Sequence, residues 1–352
     1  MHLREDGLES IFSEAISSGM LCVSDEVEPA DAFIICVPTP AKGSFSEKSA
    51  DLSCVFAAAE MVGKVIKEGD LVVLESTVPP GTSRKAAQAI SDASSLSLGA
   101  FHFAYCPERV MPGRTVYEMA CNDRVIGSAR KESALLAKEL YKSIAKEGEI
   151  IITDDLSAEM CKLVENAYRD VNIAFANEVA KCCDKLGINP GWLISLANRH
   201  PRVDILEPGV GVGGHCIPVD PWFLIDAFGS DAALMRQARH INDSKPAYTA
   251  QKLIDAVNGN KSSVIGLLGL SYKANTDDLR ASPSLELAKI LMLEGFTVIA
   301  CEPNCSQSEI HGVKLFSLSE TLSKSDACLL AVKHDAFMNK INEISKAGAL
   351  VL

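Results

Sequence analysis

The sequence predicts an α/β fold of two Rossmann-like parallel-sheet domains joined by a long central helix. Three observations predict it. In the first third of the 352 residues, short apolar runs rich in strand formers alternate with helical patterns. The same alternation returns in the last third. Between them, Leu156 to Leu186 keeps helical spacing without one Gly or Pro.

The chain opens on a polar, acidic stretch, "MHLREDGLES", unlike a signal peptide and read as a polar helical start. "DAFIICVP" is the first strand, and a helix follows from Asp51, as N-cap, to about Lys67. "DLVVLEST" is a buried strand, and "VPPGTS" is a turn that opens another helix. "FHFAYCP" and "DRVIGS" are two more strands, with a helix near Lys131 to Ile144. The long helix ends at "GINP", with Gly187 as C-cap and Pro190 beyond it. "INDSKP" near Asn242 leads into a further helix. From about Lys261, "SSVIGLLGL", "SPSLELAKILMLEG" and "FTVIACEP" form a βαβ unit, and "DACLLAV" and "GALVL" are later strands. The boundaries that follow are 1–150 for the first α/β domain, 151–245 for a helical middle and 246–352 for the second α/β domain.

Composition narrows the function. The net charge is -12, from 34 basic and 46 acidic residues, and no run of basic residues is longer than two. A phosphate-backbone binder is therefore not expected, so no nucleic-acid partner is assigned. No apolar run is long enough to span a bilayer, so no membrane partner is assigned either. Twelve cysteines without a C-x-x-C pair read as reduced, mostly buried thiols of a cytoplasmic protein. Cys301 and Cys305 lack a second ligand pair nearby, so no metal is expected.

"GVGVGGHC" places Gly209, Gly211 and Gly214 in a literal G-x-G-x-x-G. A dinucleotide loop needs a strand before it and a helix after it. Pro208 argues against the strand, and Pro218 and Pro221 argue against a helix propagating from the loop. The alternative is close backbone approach to a ligand beside Cys216, a thiol placed to act as a nucleophile. A buried structural thiol is the bland reading of the same residue. On the long helix, Lys162 and Asn166 share a face, and Arg169 and Asn177 lie near the same stripe, which reads as ligand-facing. Glu108, Arg109 and Arg114, then Thr77, stand on strand-end loops, and so do Lys273 and Arg280. "NRHPRVDIL" adds His200 and Arg202. Several cations on such loops suit an anionic phosphate ligand. "VIGLLGLSYK" has glycines in the right context for a nucleotide but with G-x-x-G spacing, and Glu302 after the next strand reads as structural.

The combination "CPERVMPGR", "NDRVIG", "AEMCKLVENAYRDVNIAFANE", "NRHPRVDILEPGVGVGGHCIPVDPWF" and "SYKANTDDLRASPSLE" resembles the UDP-glucose/GDP-mannose dehydrogenase family over essentially the whole chain. "NRHPRV…GVGGHC…VDPWF" with "CPERV" points to its N-acetylhexosamine branch, where UDP-N-acetyl-D-mannosamine is the first substrate expected. The resemblance implies oxidation of the sugar C6 alcohol to a carboxylate in two NAD-dependent steps, for polysaccharide biosynthesis. It implies Cys216 as nucleophile and Lys162 as general acid/base, with Asn166 beside Lys162 at the oxyanion. It implies Asp220, Glu108 and Thr77 for the water and its proton. The implied substrate contacts are Arg109, Val110, Lys162, Asn166, Arg169, His200, Arg202, Gly213, Tyr272, Lys273 and Arg280. Thr39, Thr77 and Arg280 are the implied cofactor contacts. A homodimer or larger homo-oligomer built on the long helix is also implied, with Arg202 or Arg280 serving the neighbouring site.

The family opens with a strand, a glycine loop and a second strand ending in an acid, and no such segment occurs here. The expectation is an incomplete first domain that binds NAD poorly; robust NADH production by the purified chain would contradict it. The alternatives are UDP-N-acetylglucosamine or UDP-glucose as substrate, or a catalytically silent UDP-sugar-binding protein.

Overall fold

Residues 7–43, 47–111 and 113–351 are described by a computed structural model. The chain divides into two compact units, Met1–Glu165 and Asn166–Leu352.

The first unit begins with α1 (Leu8–Ser17), none of whose residues is buried. Then come β1 (Ala32–Ile35), the short antiparallel pair β2 (Ala41–Gly43) and β3 (Lys48–Ala50), α2 (Ser53–Gly63), β4 (Leu71–Leu74), α3 (Thr82–Ser94) and β5 (His102–Tyr105). The unit continues through α4 (Thr115–Cys121), β6 (Arg124–Gly127), α5 (Lys131–Lys142) and β7 (Ile150–Thr153) into α6 (Asp155–Leu186). The sheet order is β1-β4-β5-β6-β7. All four residues of β4 are buried, as a strand covered on both faces requires. Val72 and Leu74 pack with Val55, Ala59 and Ile90 of α2 and α3, while Leu71 and Val73 pack with Ala134, Ala137 and Tyr141 of α5.

One expectation about this sheet is corrected. β1, β4 and β5 are parallel, but β6 meets β5 through an antiparallel bridge at Tyr105 and Gly127, so the sheet is mixed. The segment after β5 folds as a loop and the seven-residue α4 instead of a helix that crosses the sheet. The N-cap of α2 is Leu52 and not Asp51, which stands one residue earlier and accepts from Ser53 N at 3.0 Å.

α6 runs for 32 residues and ends at Gly187, whose φ of 67° lets the chain leave the helix. The second unit holds the end of α6, then α7 (Pro190–Ala197), α8 (Asp220–Phe228), α9 (Ala233–Ala256), β8 (Val264–Leu268) and α10 (Pro283–Leu293). It goes on through β9 (Thr297–Cys301), β10 (Glu309–Ile310), β11 (Val313–Leu315), α11 (Leu318–Lys324), β12 (Ala327–Leu330), α12 (Asp335–Met338), α13 (Ile341–Lys346) and β13 (Leu350–Val351). The sheet order is β10-β11-β9-β8-β12-β13, parallel except for β10. Ile265, Leu267, Val298 and Ala300 pack with Leu253 of α9 and Leu287 and Leu291 of α10. Leu268, Cys301 and Leu330 pack on the other face with Phe337 and Ile344.

Two proline readings are also corrected. α9 starts well before Asn242 and passes through Pro246. The buried Asn242 amide, tied to Asp170 and Asn177, secures that part of the helix from the side. α8 begins six residues after Gly214 with Pro221 in its first turn, where the missing N–H costs nothing. The rejection of a dinucleotide loop at "GVGVGGHC" now rests on its other half: no strand precedes Gly209.

Candidate active site

In the first unit, the carboxyl ends of β1, β4 and β5 carry Thr39, Thr77 and Glu108. Ser76 staples two of these ends, accepting from Val37 N and donating to Val37 O, both at 2.8 Å. Thr39 Oγ1 donates to the Thr77 carbonyl at 2.7 Å, so the two threonines are neighbours. Glu108 is exposed, and its carboxylate accepts from the Val110 N–H. Arg109 donates to Glu165 with Nε at 3.1 Å and lies 2.5 Å from it with Nη2, while Nη1 reaches the Asp123 carbonyl at 3.0 Å. Arg114 is exposed and stacks on Tyr117. Lys162 is 8% exposed, and no hydrogen bond or ion pair is found for it among the described residues.

A nicotinamide dinucleotide asks two things of strand ends. One is polar groups beyond the strands for the nicotinamide ribose. Thr39 and Thr77 fit that end. The other is free N–H groups for the pyrophosphate. The N-terminus of α3 does not offer them, because Gly81 N and Ser83 N both donate to the Glu159 carboxylate, at 2.5 and 2.7 Å.

In the second unit, Cys216 stands exposed on a turn closed by its own carbonyl, which accepts from Val219 N at 3.0 Å and Asp220 N at 2.8 Å. Asp220, 3% exposed, opens α8 and accepts from Asn166 Nδ2 at 2.6 Å. One turn thus fixes the thiol, the carboxylate and the amide of α6 together. Arg169 on α6 is exposed, and so are His200 and Arg202, whose N–H donates to His200 Nδ1 at 3.3 Å.

Two of the glycines before Cys216, Gly213 and Gly214, pack their Cα against the loop after β8. A Cβ on Gly213 would stand 2.6 Å from the Ala281 carbonyl and 2.9 Å from Tyr272 Cβ. One on Gly214 (φ 90°) would meet the Tyr272 ring at 2.7 Å. The thiol loop is therefore keyed to the loop after β8. Gly213→Ala is expected to lower stability by about 1–3 kcal/mol and to depress turnover further, measured by denaturant unfolding and by assay. The expectation of a ligand-facing Asn177 is corrected: its side chain is fully buried, donating to Asn242 and accepting from Gly209 N. The thiols are all free, but five are exposed and four buried, so burial is not their rule.

On the loop after β8, Arg280 is clamped to Asp278 by Nε at 2.9 Å and Nη2 at 2.8 Å, and His215 Nε2 lies 3.4 Å from the same carboxylate. These contacts, the Arg280 side chain first, outweigh burial and hold the Asp278 carboxyl at about 2. Its depressed folded value means the clamp stabilises fully above pH ~4 and is lost as pH falls from there to about 2. In acid unfolding, Asp278→Asn is expected to flatten the stability change in that window.

A cavity of about 310 Å³ lies beyond the carboxyl ends of β8 and β12, lined by Tyr272, Lys273, Ser284, Val332 and Lys333. β9 and β12 flank β8 on opposite sides, so this is the point where strand order reverses and nucleotides are held in open α/β sheets. Lys333 pairs with Glu207 at 2.6 Å. Lys333 and Ser284 escaped the sequence reading, although Lys333 follows the strand "DACLLAV" directly. Glu302 is buried and structural, as expected, accepting from Leu270 N and Ser271 N.

Two sheet-based α/β units, in sequence on either side of a long helix, define the class of two-domain Rossmann-type proteins. Residues 1–145 match the NAD binding domain of the UDP-glucose/GDP-mannose dehydrogenase family, 156–244 its central domain and 266–351 its UDP binding domain. The chain is 45% identical over 348 residues to the NDP-N-acetyl-D-galactosaminuronic acid dehydrogenase of Ralstonia solanacearum, covering 96% of this chain and 81% of the relative. It is 44% identical over 342 residues to the UDP-N-acetyl-D-mannosamine dehydrogenase of Methanococcus maripaludis, covering 96% and 77%. Among solved structures, the UDP-D-ManNAc dehydrogenase of Pyrococcus horikoshii superposes with a TM-score of 0.90 at 39% identity, over 99% of this chain and 82% of that one. The chain belongs to the UDP-glucose/GDP-mannose dehydrogenase family. Among the described residues, no helix is long and apolar enough to cross a membrane.

Proposed function

We propose that the protein oxidises C6 of UDP-N-acetyl-D-mannosamine to the carboxylate through a covalent adduct on Cys216. The observation that carries this reading is the turn that locks the exposed Cys216 to the buried Asp220 and, through it, to Asn166. An aldehyde has no alcohol proton whose removal can expel a second hydride. Thiolate addition supplies one, as a thiohemiacetal, and its oxidation leaves a thioester that water cleaves. Thr39, Thr77 and Arg280 would hold NAD, which would supply the hydride acceptor.

Lys162 takes the proton of the C6 hydroxyl and then stabilises the oxyanion with Asn166. Asp220, with Glu108 and Thr77, orients the water that cleaves the thioester. Arg109, Val110, Arg169, His200, Arg202, Gly213, Tyr272 and Lys273 are assigned to the UDP-sugar. The cavity beyond β8 and β12 supports a nucleotide there. The domain limits 1–150, 151–245 and 246–352, a homodimer and a cytoplasmic site of action belong to the same proposal.

A second substrate is favoured by one observation, the 45% identity to a relative named for an N-acetyl-galactosaminuronic acid. Steady-state NADH formation with UDP-N-acetylmannosamine, UDP-N-acetylgalactosamine, UDP-N-acetylglucosamine and UDP-glucose decides between them. The proposal requires two NADH per sugar and the highest kcat/KM for the first. No turnover with any of the four overturns it.

A further inference from the structure

The cavity beyond β8 and β12 is shaped by two loops that follow different strands, and one buried imidazole holds both. His334 is fully buried and comes directly after the cavity residue Lys333. Its Nδ1 accepts from the Asn275 N–H at 2.9 Å and lies 3.0 Å from Asn304 Nδ2. Because Nδ1 accepts a backbone N–H, the ring proton sits on Nε2, which stands 3.2 Å from both Glu302 Oε1 and Ser271 Oγ. Glu302 in turn accepts from Leu270 N at 2.7 Å and Ser271 N at 3.0 Å. Asn275 returns the link, its Oδ1 accepting from Asp335 N at 3.0 Å. A Cβ on Gly269 (φ 96°) would stand 2.4 Å from Val332 Cβ, so the two loops also touch where they leave the strands.

We infer that His334 is the positioning residue of the nucleotide cavity, setting affinity for the UDP moiety while touching neither substrate nor cofactor. Four backbone segments meet on the His334–Glu302 pair: Leu270–Ser271, Asn275, Asn304 and the start of α12. Ser271, Tyr272, Lys273 and Lys333 keep their places along the cavity wall only while that pair is satisfied. Glu302 ends the second strand of the βαβ unit, where a dinucleotide fold keeps an acid for the ribose. Here that acid is turned inward, onto N–H groups at the end of β8, and His334 fixes it there. The cavity is thereby left to read its ligand with side chains.

This inference rests on the UDP-sugar reading above, and its test separates the two. UDP alone is titrated calorimetrically into the full chain and into His334→Phe and His334→Asn, with steady-state kinetics alongside. Phenylalanine keeps a planar, somewhat larger ring and removes all four polar contacts; asparagine restores an acceptor near Nδ1. His334→Phe is expected to weaken UDP binding and raise KM for the UDP-sugar roughly tenfold. KM for NAD and kcat are expected to stay within about twofold. His334→Asn is expected to recover part of the loss. A folded His334→Phe protein with unchanged Kd for UDP overturns the inference alone. Equal losses of kcat and thermal stability in both variants with KM unmoved also overturn it, since they mark a merely structural role. Failure of the unsubstituted chain to bind UDP overturns the UDP-sugar reading and the inference with it.

Discussion

Cys216→Ala is expected to abolish carboxylate formation, lowering turnover at least about 10³-fold. The effect is large because the thiol is not one contact among many. Without it, the aldehyde stage has no adduct from which a second hydride can leave. The surrounding geometry should survive, because the bonds that close the turn come from the Cys216 carbonyl and not from its sulfur. Stability is therefore expected to change by less than about 1 kcal/mol, because the side chain is exposed and the backbone bonds of the turn stay in place. The measurement is NADH release in a single-turnover experiment, together with denaturant unfolding of the same preparation. Full turnover in the variant contradicts the covalent route, and a large loss of stability contradicts the backbone account of the turn.

The second large effect concerns stability. Arg239 of α9 and Asp170 of α6 are 1% and 0% exposed and lie 2.5 Å apart. Asn242 donates to the same Asp170 oxygen at 2.8 Å, and Asp243 pairs with the other arm of Arg239. Removing one charge leaves the other buried and uncompensated, so Arg239→Met is expected to cost about 3–5 kcal/mol. The double change with Asp170→Leu is expected to cost less than the single one, because the fully buried carboxylate goes with the arginine and only the partly exposed Asp243 loses its partner. Burial pushes the Asp170 carboxyl up, and Arg239 opposes it. With the arginine gone, the folded value rises further. The deficit of Arg239→Met is then fully present above that raised value and shrinks as pH falls toward the ordinary carboxylate range. Urea midpoints at several pH values test both the size and the sign.

The thiol loop shows why some of the site was legible and some was not. Cys216, Asp220 and Asn166 stand in long runs whose residue types are unusual enough to be recognised, and the structure joins them through one turn and one hydrogen bond. Gly213 and Gly214 were legible as places of close backbone approach, but not what approaches them. Their neighbours, Tyr272 and Ala281, are some 60 residues away in the chain. His334 and Glu302 carried even less signal, since a histidine and a glutamate after two strands look like ordinary loop residues until both are seen buried on the same backbone N–H groups. The sheet of the first unit repeats the lesson. Its strands were legible from apolar runs, whereas the reversal at β6 depends on how the segment after β5 packs, which no local period encodes.

The α/β class, the 32-residue helix with its glycine stop, the family and the residues proposed for the chemistry could all be read along the chain. These depend on local periodicity, capping and contiguous motifs, all of which are written along the chain. Tertiary structure alone decided that the glycine loop packs on the loop after β8, that Asn177 is structural, that Pro221 starts a helix, and that one imidazole ties together the walls of the nucleotide cavity. Each of these turns on which distant groups satisfy a buried polar atom or fill a vacant Cβ position. That is a property of packing in three dimensions and not of neighbours in sequence.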